Sequence, residues 1–266
     1  MNERRLRGSR MPFMRINGLK IYYEVHGNGE AVVLLHHGFG CSKMWKDIAP
    51  GLVKEGYMVV MYDRRGYGRS EEGDNFEDFY TGSSFRREAV KELQTLLDRL
   101  EISKLRLIGH CEGGVIGVDF ASAFPDRVLS LVMSSTLCFS KIPMEKFNQE
   151  KFVPFEELEE NLKAKLTEWH GDKAKKRYEL FSKYGGAYGR GIFDLRKDLS
   201  KVTCPTLVIY PDRSFLFDVE QGMLLYKNLP KGELCVFPRC GHNTYEQRPQ
   251  EYLYQVTKFY ERLKSE

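Results

Sequence analysis

The stretch GHCEGG at residues 109–114 decides the fold. It follows the apolar run Leu105–Ile108, which has the length of a buried strand, and it opens an apolar stretch of helical character from Val115 to Phe124. A nucleophilic residue with a glycine two positions before it and another two positions after it is typical of a tight strand-to-helix turn. Such a turn lifts one side chain, here Cys111, out of the sheet. Taken alone, the pattern fits equally well a glycine-rich turn around an inert buried cysteine.

Apolar runs of strand length recur on both sides of this turn, at residues 31–36, 57–62, 128–133, 206–210 and 234–237. Stretches with apolar residues at helical spacing, 85–100 and 251–263, lie between or after them. Near the start, residues 14–25 with their Asn17-Gly18 turn predict a β-hairpin. The alternation predicts an α/β fold with a mostly parallel central sheet flanked by helices.

One segment interrupts this alternation. From about residue 139 to 200 the chain has no strand-like run and is rich in charged and aromatic residues, which predicts an inserted helical cap. We therefore expect four parts: a flexible basic N-terminal extension at 1–10, the first part of the core domain at 11–136, the cap at 137–200, and the second part of the core at 201–266.

The composition excludes several classes of protein. The 266 residues are 42% hydrophobic and 29% charged, which argues against disorder, and 41 Lys+Arg against 37 Asp+Glu leave no case for nucleic-acid or membrane binding. No apolar run approaches the roughly 20 residues of a membrane span, and no secretory signal is visible. The six cysteines lack metal-ligand spacing, so we expect no metal. Because no secretory signal is visible, we expect a cytoplasmic location and free thiols.

Two further motifs place chemistry near Cys111. The glycines of His37-Gly38-Phe39-Gly40, after another strand run, let the Phe39 backbone N–H face the nucleophile as an oxyanion donor. The N–H of Glu112 is the second expected donor. Cys240-Gly241-His242 follows the last strand run and supplies His242 as a candidate base.

Together these motifs resemble those of the α/β-hydrolase fold superfamily over about residues 13–263. The segment DRRGYGRS at 63–70 looks like the family's D-x-R-G-x-G-x-S turn, and PTLVI at 205–209 looks like the strand before its acid loop. The resemblance implies a cofactor-free enzyme in which Cys111 attacks a carbonyl and His242 acts as base and then acid. It also implies that the N–H groups of Phe39 and Glu112 hold the oxyanion.

The chain departs from the family pattern at two positions. Most members have Ser where this chain has Cys111, although dienelactone hydrolases use Cys. The position of the second acid in the H-G-D-x-D loop holds Ser214, with Asp212 two residues before it and Asp218 four after. We take Asp212 as the provisional acid. Asp218 and a Cys–His dyad without an acid are the alternatives. The dyad is possible because a thiol has a pKa of roughly 8.5, nearer that of histidine than a serine hydroxyl has, and the N-terminus of a helix favours thiolate.

These observations predict hydrolysis of a carboxylic ester, thioester or lactone through an acyl-enzyme on Cys111. We expect the partner to be a small-molecule substrate with an apolar acyl or alcohol portion. Two rival hypotheses remain open at this point. One is a non-catalytic small-molecule binder with a degenerate or engineered hydrolase site, and the other is an acyltransferase, in which an alcohol or thiol replaces water.

Overall fold

The computed structural model describes residues 12–265, so the extension expected at 1–10 lies outside the described residues. An eight-stranded sheet forms the centre, in the order β1-β2-β4-β3-β5-β6-β7-β8. The β1–β2 hairpin pairs antiparallel to the sheet edge at β4, and every other neighbouring pair is parallel. The strands are β1 Phe13–Ile16, β2 Leu19–His26, β3 Ala31–Leu35, β4 Met58–Tyr62, β5 Leu105–His110, β6 Val128–Ser134, β7 Thr206–Pro211 and β8 Gly232–Phe237.

Helices cover both faces of the sheet. They are α1 Ala49–Lys54, α2 Phe76–Thr81, α3 Phe85–Arg99, α4 Glu112–Ala123, α5 Met144–Lys151, α6 Glu160–His170, α7 Ala174–Tyr184, α8 Arg196–Leu199, α9 Glu220–Asn228, α10 Thr244–Gln247 and α11 Pro249–Ser265. Short 3₁₀ turns occur at Ser42–Trp45, Phe155–Glu157, Gly171–Lys173 and Gly186–Tyr188. The predicted fold class and hairpin are confirmed. Among residues 12–265, no helix has the length and apolar character needed to cross a membrane.

The central strands are mainly apolar because helices pack on both sides of them. Every residue of β3 and of β5 is buried. One layer of the core includes α3 and α4, and the other includes α1 and α11. Strand β5 lies in the interior of the sheet, so the turn that follows it places Cys111 over the middle of the carboxyl edge, where parallel sheets hold their ligands.

Residues 137–200, which we call the cap, leave the sheet after β6 and return before β7. They contain α5 to α8, and the part of the chain that the structure describes adds no cap strand to the sheet. An isolated bridge between Phe139 and Asp194 joins the two ends of the cap. On the core side, the Gly68 backbone N–H donates to His170 Nδ1 at 2.9 Å. The cap is therefore held directly over the carboxyl edge.

Candidate active site

Cys111 occupies a strained turn between β5 and α4. Its backbone has φ 52° and ψ −115°, a conformation that a residue with a side chain adopts only under surrounding constraint. Glycines on both sides make the turn possible, because a Cβ at Gly109 would lie 2.4 Å from the Gly113 oxygen and one at Gly113 would lie 2.1 Å from the Leu35 oxygen. The sharp turn predicted from the sequence is present, and Cys111 is the residue at its apex.

Cys111 and His242 line the same cavity beneath the cap. The cavity has a volume of about 230 Å³, at or below the small end of the roughly 300–1,000 Å³ that is common for small-molecule sites. His242 comes from the loop after β8, as the sequence predicted. Most of the wall is apolar and much of it comes from the cap, including Phe152, Leu158, Leu162, Leu166, Trp169, Tyr178 and Phe181.

Ser214, and not Asp212, contacts the Nδ1 atom of His242. The Ser214 Oγ lies 3.0 Å from His242 Nδ1. The Asp212 carboxylate instead accepts the backbone N–H of Cys240 at 3.0 Å, and Asp218 accepts the backbone N–H of Glu220 at the start of α9. The provisional choice of Asp212 is therefore corrected, because its side chain is used to brace the loop that carries the histidine.

The hydrogen bonds around Ser214 decide where the proton of His242 sits. A serine hydroxyl has one hydrogen to donate and two lone pairs. The backbone N–H groups of Leu216 and Phe217 donate to Ser214 Oγ at 3.2 and 3.1 Å, which occupies both lone pairs. The hydroxyl hydrogen is left for His242 Nδ1, so Nδ1 is an acceptor. A neutral imidazole then carries its proton on Nε2, the nitrogen that a general base needs free.

The ionisation of the pair differs from the sequence expectation. Burial lowers the pKa of His242 to about 3, so the ring is neutral near pH 7. Burial raises the pKa of the Cys111 thiol to about 12, against smaller lowering effects from the hydrogen bonds of Tyr188 and of the Glu112 backbone. The helix N-terminus does favour thiolate, as predicted, but burial outweighs it. The resting pair is therefore a neutral thiol and a neutral imidazole.

The two predicted oxyanion donors are in different states. The Glu112 N–H is at the first position of α4, where a backbone donor has no acceptor within its own helix. The Phe39 N–H donates to the ring of His37, with 3.1 Å between the Phe39 nitrogen and His37 Nδ1. Phe39 is also held from the cap, since His170 Nε2 lies 2.8 Å from its carbonyl oxygen. An oxyanion must therefore draw the Phe39 N–H away from His37.

The Glu112 side chain serves a purpose that the sequence did not reveal. It is buried and ion-paired with Arg64, with 2.5 Å between Arg64 Nη2 and Glu112 Oε2. Its other oxygen accepts the backbone N–H of Ala187, in the cap, at 2.7 Å. His36 supports Arg64 by accepting the Arg64 backbone N–H at 3.1 Å. Glu112 therefore ties the turn at Cys111 to the cap.

Sequence reasoning missed Tyr188, whose hydroxyl lies 3.4 Å from Cys111 Sγ. The sequence could not distinguish Tyr188 from the other aromatic residues of the cap, because Tyr188 and Cys111 are 77 positions apart in the chain. His110 packs against His242 with 5.2 Å between ring centroids, and its Nδ1 lies 2.9 Å from Ser134 Oγ. Among residues 12–265 no group of three or more His, Cys, Asp and Glu side chains is placed to hold a metal ion.

Comparison with known proteins identifies the same architecture. Residues 30–171, about half of the chain, match the family model described as alpha/beta hydrolase fold. A proline iminopeptidase of Lactobacillus acidophilus is 25% identical over 94% of this chain and 96% of its own length. A 2-hydroxy-6-oxo-6-phenylhexa-2,4-dienoate hydrolase of Burkholderia cepacia is 27% identical over 85% of this chain and 86% of its own.

A solved structure extends the match to the whole fold. The meta-cleavage product hydrolase of Pseudomonas fluorescens superposes with a TM-score of 0.76 at 20% identity, covering 92% of this chain and 95% of that one. The chain therefore belongs to the α/β-hydrolase fold family, and it is an enzyme of hydrolase type.

Proposed function

We propose that the protein hydrolyses a carboxylic ester, thioester or lactone through an acyl-enzyme on Cys111. The observation that carries the proposal is the shared cavity. A cysteine at the apex of a strained strand-to-helix turn and a histidine from the last loop open into one small, mainly apolar space. A nucleophile and a proton acceptor held at the wall of an apolar pocket are the minimum that acyl transfer needs.

The proposed reaction uses two side chains, two backbone N–H groups and water. Cys111 Sγ forms a bond to the carbonyl carbon while its proton passes to His242 Nε2, and the carbonyl electron pair moves onto oxygen. The backbone N–H groups of Glu112 and Phe39 stabilise that oxyanion. Collapse of the intermediate breaks the bond to the alcohol or thiol, which takes the proton from His242. Water, deprotonated by His242, then attacks the thioester, and the acid leaves with Cys111 reprotonated.

The first step requires a change at Ser214. His242 accepts the thiol proton only when its own proton is on Nδ1, and Ser214 favours the opposite tautomer in the resting arrangement. Moving the His242 proton from Nε2 to Nδ1 breaks the hydrogen bond from the Ser214 hydroxyl and makes Nδ1–H a third donor to Ser214 Oγ. The cost is about 1–3 kcal/mol. The proposed enzyme is therefore slow compared with one that has a carboxylate at this position.

The cavity restricts the substrate. Its small volume favours a short acyl group, and its apolar wall favours an uncharged one. Lys151 and Lys165 are the charged side chains among the lining residues, and Lys165 is paired with Glu246 at 2.5 Å. We therefore extend the proposal to small esters with an apolar acyl part that carry at most one negative charge, placed near Lys151.

A second candidate function is favoured by the ionisation state of the site. A neutral thiol with a raised pKa and a histidine in the unproductive tautomer describe a pocket suited to binding without turnover. In that case the same cavity holds an apolar small molecule. An acyltransferase shares every step of the hydrolase up to the thioester and differs only in the acceptor.

Turnover of short-chain p-nitrophenyl esters separates these functions. We expect release of p-nitrophenol above the buffer rate, and its loss in Cys111→Ala. The matched control is Cys235→Ala, since Cys235 is the least buried of the cysteines and does not line the cavity. Hydrolysis that survives in Cys111→Ala rejects the proposed nucleophile, and saturable ligand binding without turnover supports the binder. Products formed with added alcohols identify a transferase.

A further inference from the structure

We propose that the Tyr188 hydroxyl donates a hydrogen bond to the Cys111 sulfur as it becomes a thiolate, which makes Tyr188 a further catalytic residue. The catalytic role rests on the proposed function, because it takes Cys111 as the nucleophile. The hydrogen bond itself does not depend on turnover and can be tested separately. The group comes from the cap, so the active site is complete only when the cap is seated on the core.

The contact is direct and enclosed. Tyr188 Oη and Cys111 Sγ are 3.4 Å apart, and both side chains are buried. The Tyr188 ring packs edge-on against Phe193 and Phe217, with 4.9 and 5.7 Å between ring centroids. Tyr188 lines a second cleft between the cap and the core, while Cys111 lines the substrate cavity. The hydroxyl therefore reaches the sulfur without filling the space for substrate.

A buried ion pair fixes the backbone that carries Tyr188. The residue ends the 3₁₀ turn Gly186–Tyr188, and the Ala187 N–H within that turn donates to Glu112 Oε1. The approach is close, because a Cβ at Gly186 would lie 1.9 Å from the same oxygen. Arg64 holds the other carboxylate oxygen. The residue directly after the nucleophile thus positions the group that contacts the nucleophile.

The chemistry makes the contact stronger during reaction than at rest. Between a neutral thiol and a phenol either group can donate, and the hydrogen bond is weak. Once the sulfur carries negative charge it can only accept, and the phenol O–H donates a charge-assisted hydrogen bond. An interaction that strengthens as charge develops accelerates the step. The hydrogen bond also helps a step that is slow otherwise, because the resting tautomer of His242 has its proton on Nε2 and does not accept the thiol proton.

Tyr188→Phe removes only the hydroxyl and keeps the packing of the ring. Two rates are measured: kcat/KM for a p-nitrophenyl ester, and carboxamidomethylation of Cys111 by iodoacetamide at about pH 9, read by peptide mapping. We expect both rates to fall about 10- to 100-fold, with little change in KM. Tyr184→Phe is the control, because Tyr184 is a cap tyrosine whose hydroxyl faces Glu77.

Alkylation decides the proposal independently of turnover. If Cys111 is alkylated in Tyr188→Phe as fast as in the wild type, or faster, Tyr188 does not stabilise the thiolate and the proposal is wrong. If the wild type has no esterase activity but alkylation still slows in Tyr188→Phe, the hydrogen bond is supported while the proposed function fails. Equal slowing in Tyr184→Phe also overturns the proposal, since the effect would then belong to the cap as a whole.

Discussion

Replacing Ser214 by aspartate should raise the activity of this protein. An aspartate carboxylate has two oxygens that only accept, so it can keep the backbone donors of Leu216 and Phe217 and also receive a proton from His242 Nδ1. The imidazole then carries its proton on Nδ1 and presents a free Nε2 to Cys111. A single substitution therefore reverses the tautomer that the serine hydroxyl imposes.

The expected gain follows from the hydrogen bonds at position 214. Ser214→Asp removes the tautomer penalty of about 1–3 kcal/mol and adds a charge-assisted hydrogen bond to the imidazolium that forms during the reaction. We take about 2–4 kcal/mol for the sum, which corresponds to a rise in kcat/KM of roughly 30- to 1,000-fold. The carboxylate should also raise the pKa of His242 from its value of about 3.

The assay is the pH dependence of ester hydrolysis, in wild type and variant. For the wild type we expect kcat/KM to stay level from about pH 5 to pH 9, because neither His242 nor Cys111 titrates in that range. Ser214→Asp should show a higher plateau that falls on the acid side as His242 is protonated. Nitrogen chemical shifts of the His242 ring report the tautomer directly, with Nε2 protonated in the wild type.

Asp212→Asn is the matched control for this prediction. It changes a nearby carboxylate that braces Cys240 and does not contact His242, so kcat/KM should stay within about threefold of the wild type. The role of Ser214 in setting the tautomer is refuted if folded Ser214→Asp is no faster than the wild type. It is equally refuted if Asp212→Asn abolishes activity, since that result would restore Asp212 as the working acid.

Two further predictions concern stability and selectivity. Acidification from about pH 7 to pH 5.5 should lower the free energy of unfolding. Burial lowers the pKa of His170 to about 4 and that of His242 to about 3, so both rings are neutral in the folded protein. Below about pH 6.5 each ring takes up a proton on unfolding, which lowers the free energy of unfolding by about 1 kcal/mol for each histidine. Urea midpoints at the two pH values measure the change in stability. Glu92 opposes the loss of stability, because burial raises its pKa to about 7. A midpoint that stays the same or rises on acidification contradicts the prediction. Lys151→Met should raise KM about 2- to 5-fold for an ester with a terminal carboxylate and leave the KM of the neutral ester unchanged. Equal effects on both esters would contradict a role in charge recognition.

The fold and the turn that carries Cys111 could be predicted because their signals are local in the chain. Buried parallel strands are mainly apolar, as β3 is at every position, and a strand-to-helix turn needs glycines near the residue that it lifts. His242 was found for the same reason, since it follows the last strand run directly. These features depend on backbone geometry within a few residues, which a sequence pattern records.

The polar contacts of the site could not be predicted because they join distant segments. Asp212 and Ser214 are two positions apart, and only the path of the loop determines which of them meets His242. The contact of Tyr188 with Cys111 depends on how the cap sits on the core. The raised pKa of the thiol has the same origin, because burial beneath the cap outweighs the favourable helix N-terminus.

The most direct test of the account is the covalent intermediate. The wild type is mixed with p-nitrophenyl butyrate, quenched with acid during turnover, and digested for peptide mass mapping. We expect a butyryl thioester on Cys111 that hydroxylamine removes, and no such adduct in Cys111→Ala. Turnover that leaves Cys111 unmodified, or that places the acyl group on another residue, would show that Cys111 is not the nucleophile.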